Sequence, residues 1–312
     1  MSHALDDLLG KLIARIEAGA PPWRQPWSAG GDPGLPRRAT GEPFTGSNAW
    51  SLAFAGAMAG RASPYWFTFP QALAIGAPVR KGERSSPALL YRTSTRPSDD
   101  DAVDPAPAIE AGQVRRYAKV YAVFNAEQLS DCPEGFLAGP PIDDELRRAS
   151  RDAVLDAVPA TVVLGGGRAF YSPLKDMVTL PPPERFESVD DFRATKAHEL
   201  VHWTGAARRL NRDFGRRFGD QAYAFEELVA EIGAALLGLT IGLRPQTLDG
   251  HAAYLAHWVA ILKARPHALL EASGLAQKAV DHLLAYGRET PVAEVAGGTD
   301  PALEEDGRGS AG

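Results

Sequence analysis

Residues 197–205 read Ala-His-Glu-Leu-Val-His-Trp-Thr-Gly. They contain the pattern H-E-x-x-H, at His198-Glu199-Leu200-Val201-His202. A spacing of four residues sets two side chains one helical turn apart on one face, where two imidazoles can grip one ion. The helix has its own start signal, the S-x-x-D pair Ser188 and Asp191, and Gly205 is expected to end it as a left-handed cap. Glu199, beside the first histidine, is placed to act as a general base if the site is catalytic.

A third ligand has two possible sources. The extension x-x-G-x-x-H would need a histidine at 208; Gly205 fits it, but Arg208 excludes it. The alternative is a glutamate from a second helix, and residues 220–238 predict one, with Phe225, Leu228, Val229, Ile232, Leu236 and Leu237 apolar. Glu227 and Glu231 lie four apart on it and share a face with Ala230 and Ala234. Two acids buried there unpaired would be costly, whereas a cation and a histidine N–H would satisfy both. Glu227 is therefore expected as the third ligand and Glu231 as the carboxylate partner of a ligand histidine. Glu226 sits about 100° away around the helix and is the weaker candidate. Three N and O ligands with an open fourth position predict one zinc ion, Zn2+, in a catalytic-type rather than a closed structural site.

The chain of 312 residues is long enough for two domains. No run approaches the ~18 apolar residues of a membrane span, so no membrane partner is expected. Residues 1–19 predict an amphipathic helix with Leu5, Leu8, Leu9, Leu12, Ile13 and Ile16 on one side, unlike a secretory signal. The lone Cys132 excludes an internal disulfide and fits a reducing, cytoplasmic location. The net charge of −6 hides an asymmetry: residues 1–96 and 114–130 together carry +7, residues 97–113 carry −5, and residues 131–312 carry −8. A basic front half suggests a polyanion partner for that half alone.

Residues 88–92 and 114–124 predict neighbouring strands of one sheet, with the Pro- and Asp-rich stretch 97–113 as a flexible insertion between them. Pro133, Gly135, Gly139, Pro140 and Pro141 mark a boundary, after which a helix at 142–157 and strands at 160–164 and 168–180 lead into long helices. The expected architecture is α+β: a basic N-terminal α+β domain over 1–131, a mainly helical domain with a small sheet over 142–288, and a disordered tail over 289–312. In the N-terminal half, aromatic rings interleave with cations: Trp23, Arg24 and Trp27, then Asn48, Trp66, and Arg80, Lys81 and Arg84. Bases stack on rings and phosphates pair with cations, so this set is the candidate single-stranded DNA surface. Phe44, Trp50, Phe67, Phe69, Tyr121 and Phe124 read instead as core.

Several of these stretches resemble one family. APPWRQPW (20–27), GEPFTGSN (41–48), WFTFPQALAIGAPVRKGE (66–83) and VFNAEQ (123–128) resemble the N-terminal domain of ArdC-type antirestriction proteins. AFYSPLKDMVTLP (169–181), AHELVHWTG (197–205), RLNRD (209–213), YAFEELVAEIGAALLG (223–238) and AAYLAHW (252–258) resemble that family's zincin-like metallopeptidase domain. The resemblance implies single-stranded DNA binding by the N-terminal domain and protection of incoming plasmid or phage DNA. It also implies a metal held at His198, His202 and Glu227. Two readings follow: a protective DNA-binding protein, or a working zinc endopeptidase directed to proteins on DNA. A metal-dependent nuclease fits less well, because phosphodiester cleavage more often uses paired metals on carboxylates.

Overall fold

The structure, a computed structural model, describes residues 3–19, 34–94, 115–138, 151–215, 221–243 and 252–289. The acidic insertion, the Trp23–Trp27 segment, residues 142–150 and the tail beyond 289 lie outside the described residues. None of the described helices is long and apolar enough to cross a membrane.

The chain opens with α1 (His3–Glu17), which buries Leu9, Leu12, Ile13 and Ile16 along one stripe. After β1 (Arg37–Arg38) comes α2 (Gly46–Met58), apolar on most of its surface, with Trp50 1% exposed and Leu52 and Phe54 buried. Then follow β2 (Tyr65–Phe67), the short α3 (Phe69–Ala74), β3 (Ser86–Ser94) and β4 (Arg115–Asn125). Thr68 starts α3 with a capping box, its hydroxyl accepting from the Gln71 amide. The sheet order is β1-β2-β4-β3, with β1 and β2 parallel and the other pairs antiparallel. As expected, β3 and β4 are neighbours, in register from Ser86↔Val123 to Ser94↔Arg115.

The second half carries a helical segment at 151–156 and a small sheet of β5 (Thr161–Leu164), β6 (Phe170–Ser172) and β7 (Met177–Leu180), ordered β5-β7-β6. The single strand expected over 168–180 is therefore a hairpin. Pro173 brings no amide to a ladder, and Asp176 adopts a left-handed φ of 48°, so the chain turns between Ser172 and Met177. Among the described residues, four helices complete it: α4 (Val189–Thr204), α5 (Gln221–Ile241), α6 (Ala252–Ala264) and α7 (Ala268–Glu289). Ser188 caps α4 by accepting from the Asp191 amide at 3.1 Å. Gly205, by contrast, has φ −75° and is not the left-handed cap the sequence suggested.

One core runs through both halves. Leu9, Ile16, Trp50, Leu52, Trp66 and Val123 join Leu200, Val201, Leu228, Ile232, Trp258 and Leu283 in a single buried cluster. α1 packs on α6, and α2 packs on α5 and α7. The Trp50 indole N–H donates to Ser273 Oγ at 3.1 Å, and the Gly46 amide donates to Gln277 Oε1 at 2.7 Å. The helices that carry the candidate metal ligands are thus held from behind by the N-terminal half.

Candidate metal centre and nucleic-acid surface

α4 and α5 meet closely because Gly233 has no side chain: a Cβ there would lie 2.9 Å from both methyls of Val201. That approach turns His198 and His202 of α4 toward Glu227 and Glu231 of α5. The two Nε2 atoms of His198 and His202 are 3.2 Å apart. Glu227 reaches both rings, Oε2 lying 3.6 Å from His198 Nε2 and Oε1 lying 3.7 Å from His202 Nε2. Donors about 2.0–2.1 Å from a tetrahedral ion stand roughly 3.3–3.4 Å from each other, so the three atoms already approach the spacing one cation requires. His198, His202 and Glu227 form a metal-capable group among the described residues, their ligand atoms within 4.8 Å of one another. Two imidazole nitrogens and one carboxylate oxygen suit zinc and also manganese.

Carboxylates surround these three donors. Glu231 Oε1 lies 3.5 Å from His198 Nδ1. Glu226 Oε1 lies 3.1 Å from His202 Nδ1, so the weaker ligand candidate instead holds the His202 ring from the nitrogen that faces away from His198. Burial alone would lower the pKa of His202, but hydrogen bonds and charge from Glu226 and Glu227 outweigh it and push it up to about 10. Burial likewise opposes the positive form of His198, and Glu227 outweighs it, so that pKa is raised too. Burial would raise Glu227, yet its two histidine partners hold it well below the usual carboxylate range. Such a pocket favours positive charge, from protons or from a cation. Glu199 is 6% exposed, one residue beyond His198.

The residue that sequence reasoning missed is Arg212. Its guanidinium takes both oxygens of Glu226, Nε to Oε2 and Nη2 to Oε1, each at 2.8 Å. It also donates to Thr204 Oγ1 at 2.8 Å and to the Val201 carbonyl at 2.7 Å. Room for it comes from Gly205, where a Cβ would lie 2.8 Å from both Arg212 Nη2 and Phe214 Cζ. The glycine is explained by this close approach rather than by a left-handed cap. The only sequence hint was the stretch 209–213, singled out without a role.

The described candidate DNA residues differ in exposure. Trp66 is 2% exposed and packs in the core. Asn48 is 7% exposed and exchanges two 2.7 Å hydrogen bonds with the Leu89 backbone, tying α2 to β3. Neither offers a face to a base, which corrects the reading of both as contact residues. Arg80 is half exposed, but its guanidinium is engaged by the carbonyls of Leu129 and Glu127 and by Glu83. Lys81 and Arg84 are exposed. Among the residues assigned to the core, Phe44, Trp50 and Phe67 are buried, whereas Phe69 is 50% exposed. Trp23, Arg24 and Trp27 lie outside the described residues.

A helix bearing H-E-x-x-H, packed on a small mixed sheet and completed by a glutamate from the next helix, defines a zincin-like metal domain. Residues 149–275 match the family described as zincin-like metallopeptidase, and residues 3–124 match the N-terminal domain of anti-restriction factor ArdC. The chain belongs to the ArdC family of antirestriction proteins. Its fold is similar to the metal-free crystal structure of the antirestriction ArdC protein from plasmid R388, with TM-score 0.75 and 36% identity over 92% of this chain and 98% of that one. The Mn(II)-bound crystal structure of that protein gives TM-score 0.72 and 36% identity, over 91% of this chain and 98% of that one. An uncharacterized protein of Sinorhizobium fredii, y4eC, is 31% identical over 92% of this chain and 93% of its own length. Two DNA primases TraC of Escherichia coli are 37% and 35% identical over 88% of this chain, which spans only 19% and 26% of their lengths.

Proposed function

We propose that this chain is a cytoplasmic antirestriction protein that binds single-stranded DNA and protects incoming mobile-element DNA, with one Zn2+ held by His198, His202 and Glu227. The observation that carries the metal reading is the convergence of those three donors at near-tetrahedral spacing. The DNA reading draws its support from family membership and from the basic first half with its exposed Lys81 and Arg84. Nothing of primase activity carries over from relatives of which the chain spans so small a part.

A second reading, a zinc endopeptidase acting on DNA-associated proteins, is favoured by one observation: a carboxylate, Glu199, is present and buried next to a ligand. Bound zinc would supply a Lewis acid for a peptide carbonyl. Glu199 would take the proton from the attacking water, while Glu231 and Glu226 keep the ligand rings oriented. Glu199→Gln separates the readings, because glutamine keeps the size but cannot accept that proton, and losing a base costs ~10²–10⁴-fold in rate. The variant is expected to bind zinc and single-stranded DNA and still protect plasmid DNA entering a restricting host. Neutralising Lys81 and Arg84 in the full chain is expected to weaken DNA binding, lower its salt dependence and reduce protection. Loss of protection in a zinc-loaded, DNA-binding Glu199→Gln protein would establish hydrolysis as part of the mechanism instead.

A further inference from the structure

The His202 ring has a carboxylate at each nitrogen, Glu226 at Nδ1 and Glu227 at Nε2, contributed by adjacent residues of α5. Either could in principle take a cation, and the surroundings distinguish them. Glu226 is 2% exposed, and both of its oxygens are occupied by the Arg212 fork. A bidentate arginine–carboxylate pair is directional and strong, so Glu226 is neutralised and fixed in orientation. Glu227 faces the two Nε2 atoms. We infer that Arg212 is a positioning residue of the metal centre: through Glu226 it fixes the His202 ring with Nε2 turned to the ion, and it leaves Glu227 as the ligand carboxylate.

Three features make this more than a surface ion pair. The Arg212 side chain is only 4% exposed, so the guanidinium and Glu226 depend on each other for compensation of buried charge. Its other N–H groups hold Val201 and Thr204, so the same side chain ties the end of α4 to α5. The loop that delivers it is seated on Gly205, with the Arg212 amide donating to the Gly205 carbonyl at 2.8 Å. A carboxylate on the far nitrogen of a ligand imidazole sets tautomer and ring orientation, and removing such a partner typically costs about 10–100-fold in metal affinity.

The inference rests on the metal reading above, and a double-mutant cycle tests it in the full chain. Cobalt(II) is the probe, with affinity from chelator competition and geometry from the visible spectrum. Arg212→Met and Glu226→Gln are each expected to weaken cobalt binding about 10–100-fold. Their combination should do no more than the worse single change, because the two act in one line. Arg212→Lys preserves charge but not the fork; it should bind more weakly and with an altered spectrum, and far-UV circular dichroism establishes that it is folded. Wild-type affinity and spectrum in both arginine variants, or effects that multiply in the double variant, would overturn the role. Failure of the unaltered chain to take up cobalt would instead overturn the metal reading, and this inference with it.

Discussion

Gly205 separates two residue-scale explanations of a glycine beside a metal helix. Its φ of −75° is open to any residue, so backbone freedom is not what requires it. The 2.8 Å contacts that a Cβ would make with Arg212 and Phe214 are what require it. Gly205→Ala is therefore expected to destabilise the protein by about 1–3 kcal/mol, as overpacking does, and to weaken metal binding by displacing Arg212. Gly274, inside α7, is the matched control, because a Cβ there would meet nothing within 4 Å. Gly274→Ala should stabilise by up to about 1 kcal/mol, the difference in helix propensity. Urea denaturation of both variants checks the pair, and equal effects of the same sign would refute the steric account.

At the scale of elements, α4 and α5 place two histidines inside a ring of carboxylates, which fixes the proton traffic that accompanies metal uptake. Without metal the pKa of His202 stands at about 10 and that of His198 is raised, so at pH 8 His202 is protonated. A metal takes only the neutral imidazole, so binding must expel that proton. Metal uptake at pH 8 is expected to release about one proton or more, and affinity should rise with pH until about pH 10, then level off. Calorimetry in buffers of different ionisation enthalpy measures this directly; heats independent of buffer at pH 8 would contradict it. The convergence of His198, His202 and Glu227 was legible in the sequence because its geometry is local. An i,i+4 pair on one helix and a second pair at the same spacing on another need only the helical period to be read. The Arg212–Glu226–His202 chain was not, since it joins a loop, α5 and α4 through contacts that only packing creates. Trp66 and Asn48 were misread for the related reason that an aromatic or amide in a basic segment looks the same whether it faces solvent or the interior. The hairpin at Pro173–Asp176 escaped because apolar residues on both sides hid a turn made by one proline and one left-handed aspartate.

For the whole molecule, the consequence of a shared core is that a metal bound between α4 and α5 stabilises residues far from it. Trp50, Leu52 and Trp66 of the first half pack in the same cluster as Leu228 and Ile232 of α5, and Trp50 is hydrogen-bonded to Ser273 of α7. If the two halves unfold together, a ligand that binds only the folded chain raises the free energy of every global opening by RT ln(1 + [L]/Kd). At a metal concentration one hundred times Kd this is about 2.7 kcal/mol, equivalent to roughly 100-fold slower exchange of amides that open only by global unfolding. Hydrogen exchange of the full chain, with and without Zn2+, should therefore slow the core amides of α2 by nearly the same factor as those of α5. Halves that open independently would give a different pattern, with α4 and α5 slowed and α2 unchanged. That outcome would show that the α2 contacts with α5 and α7 are too weak to couple the halves. Matching protection factors would mean that the basic half and the half with the metal-capable group stand or fall as one cooperative unit, so that loss of metal also lowers the fraction of chains in which the basic half is folded.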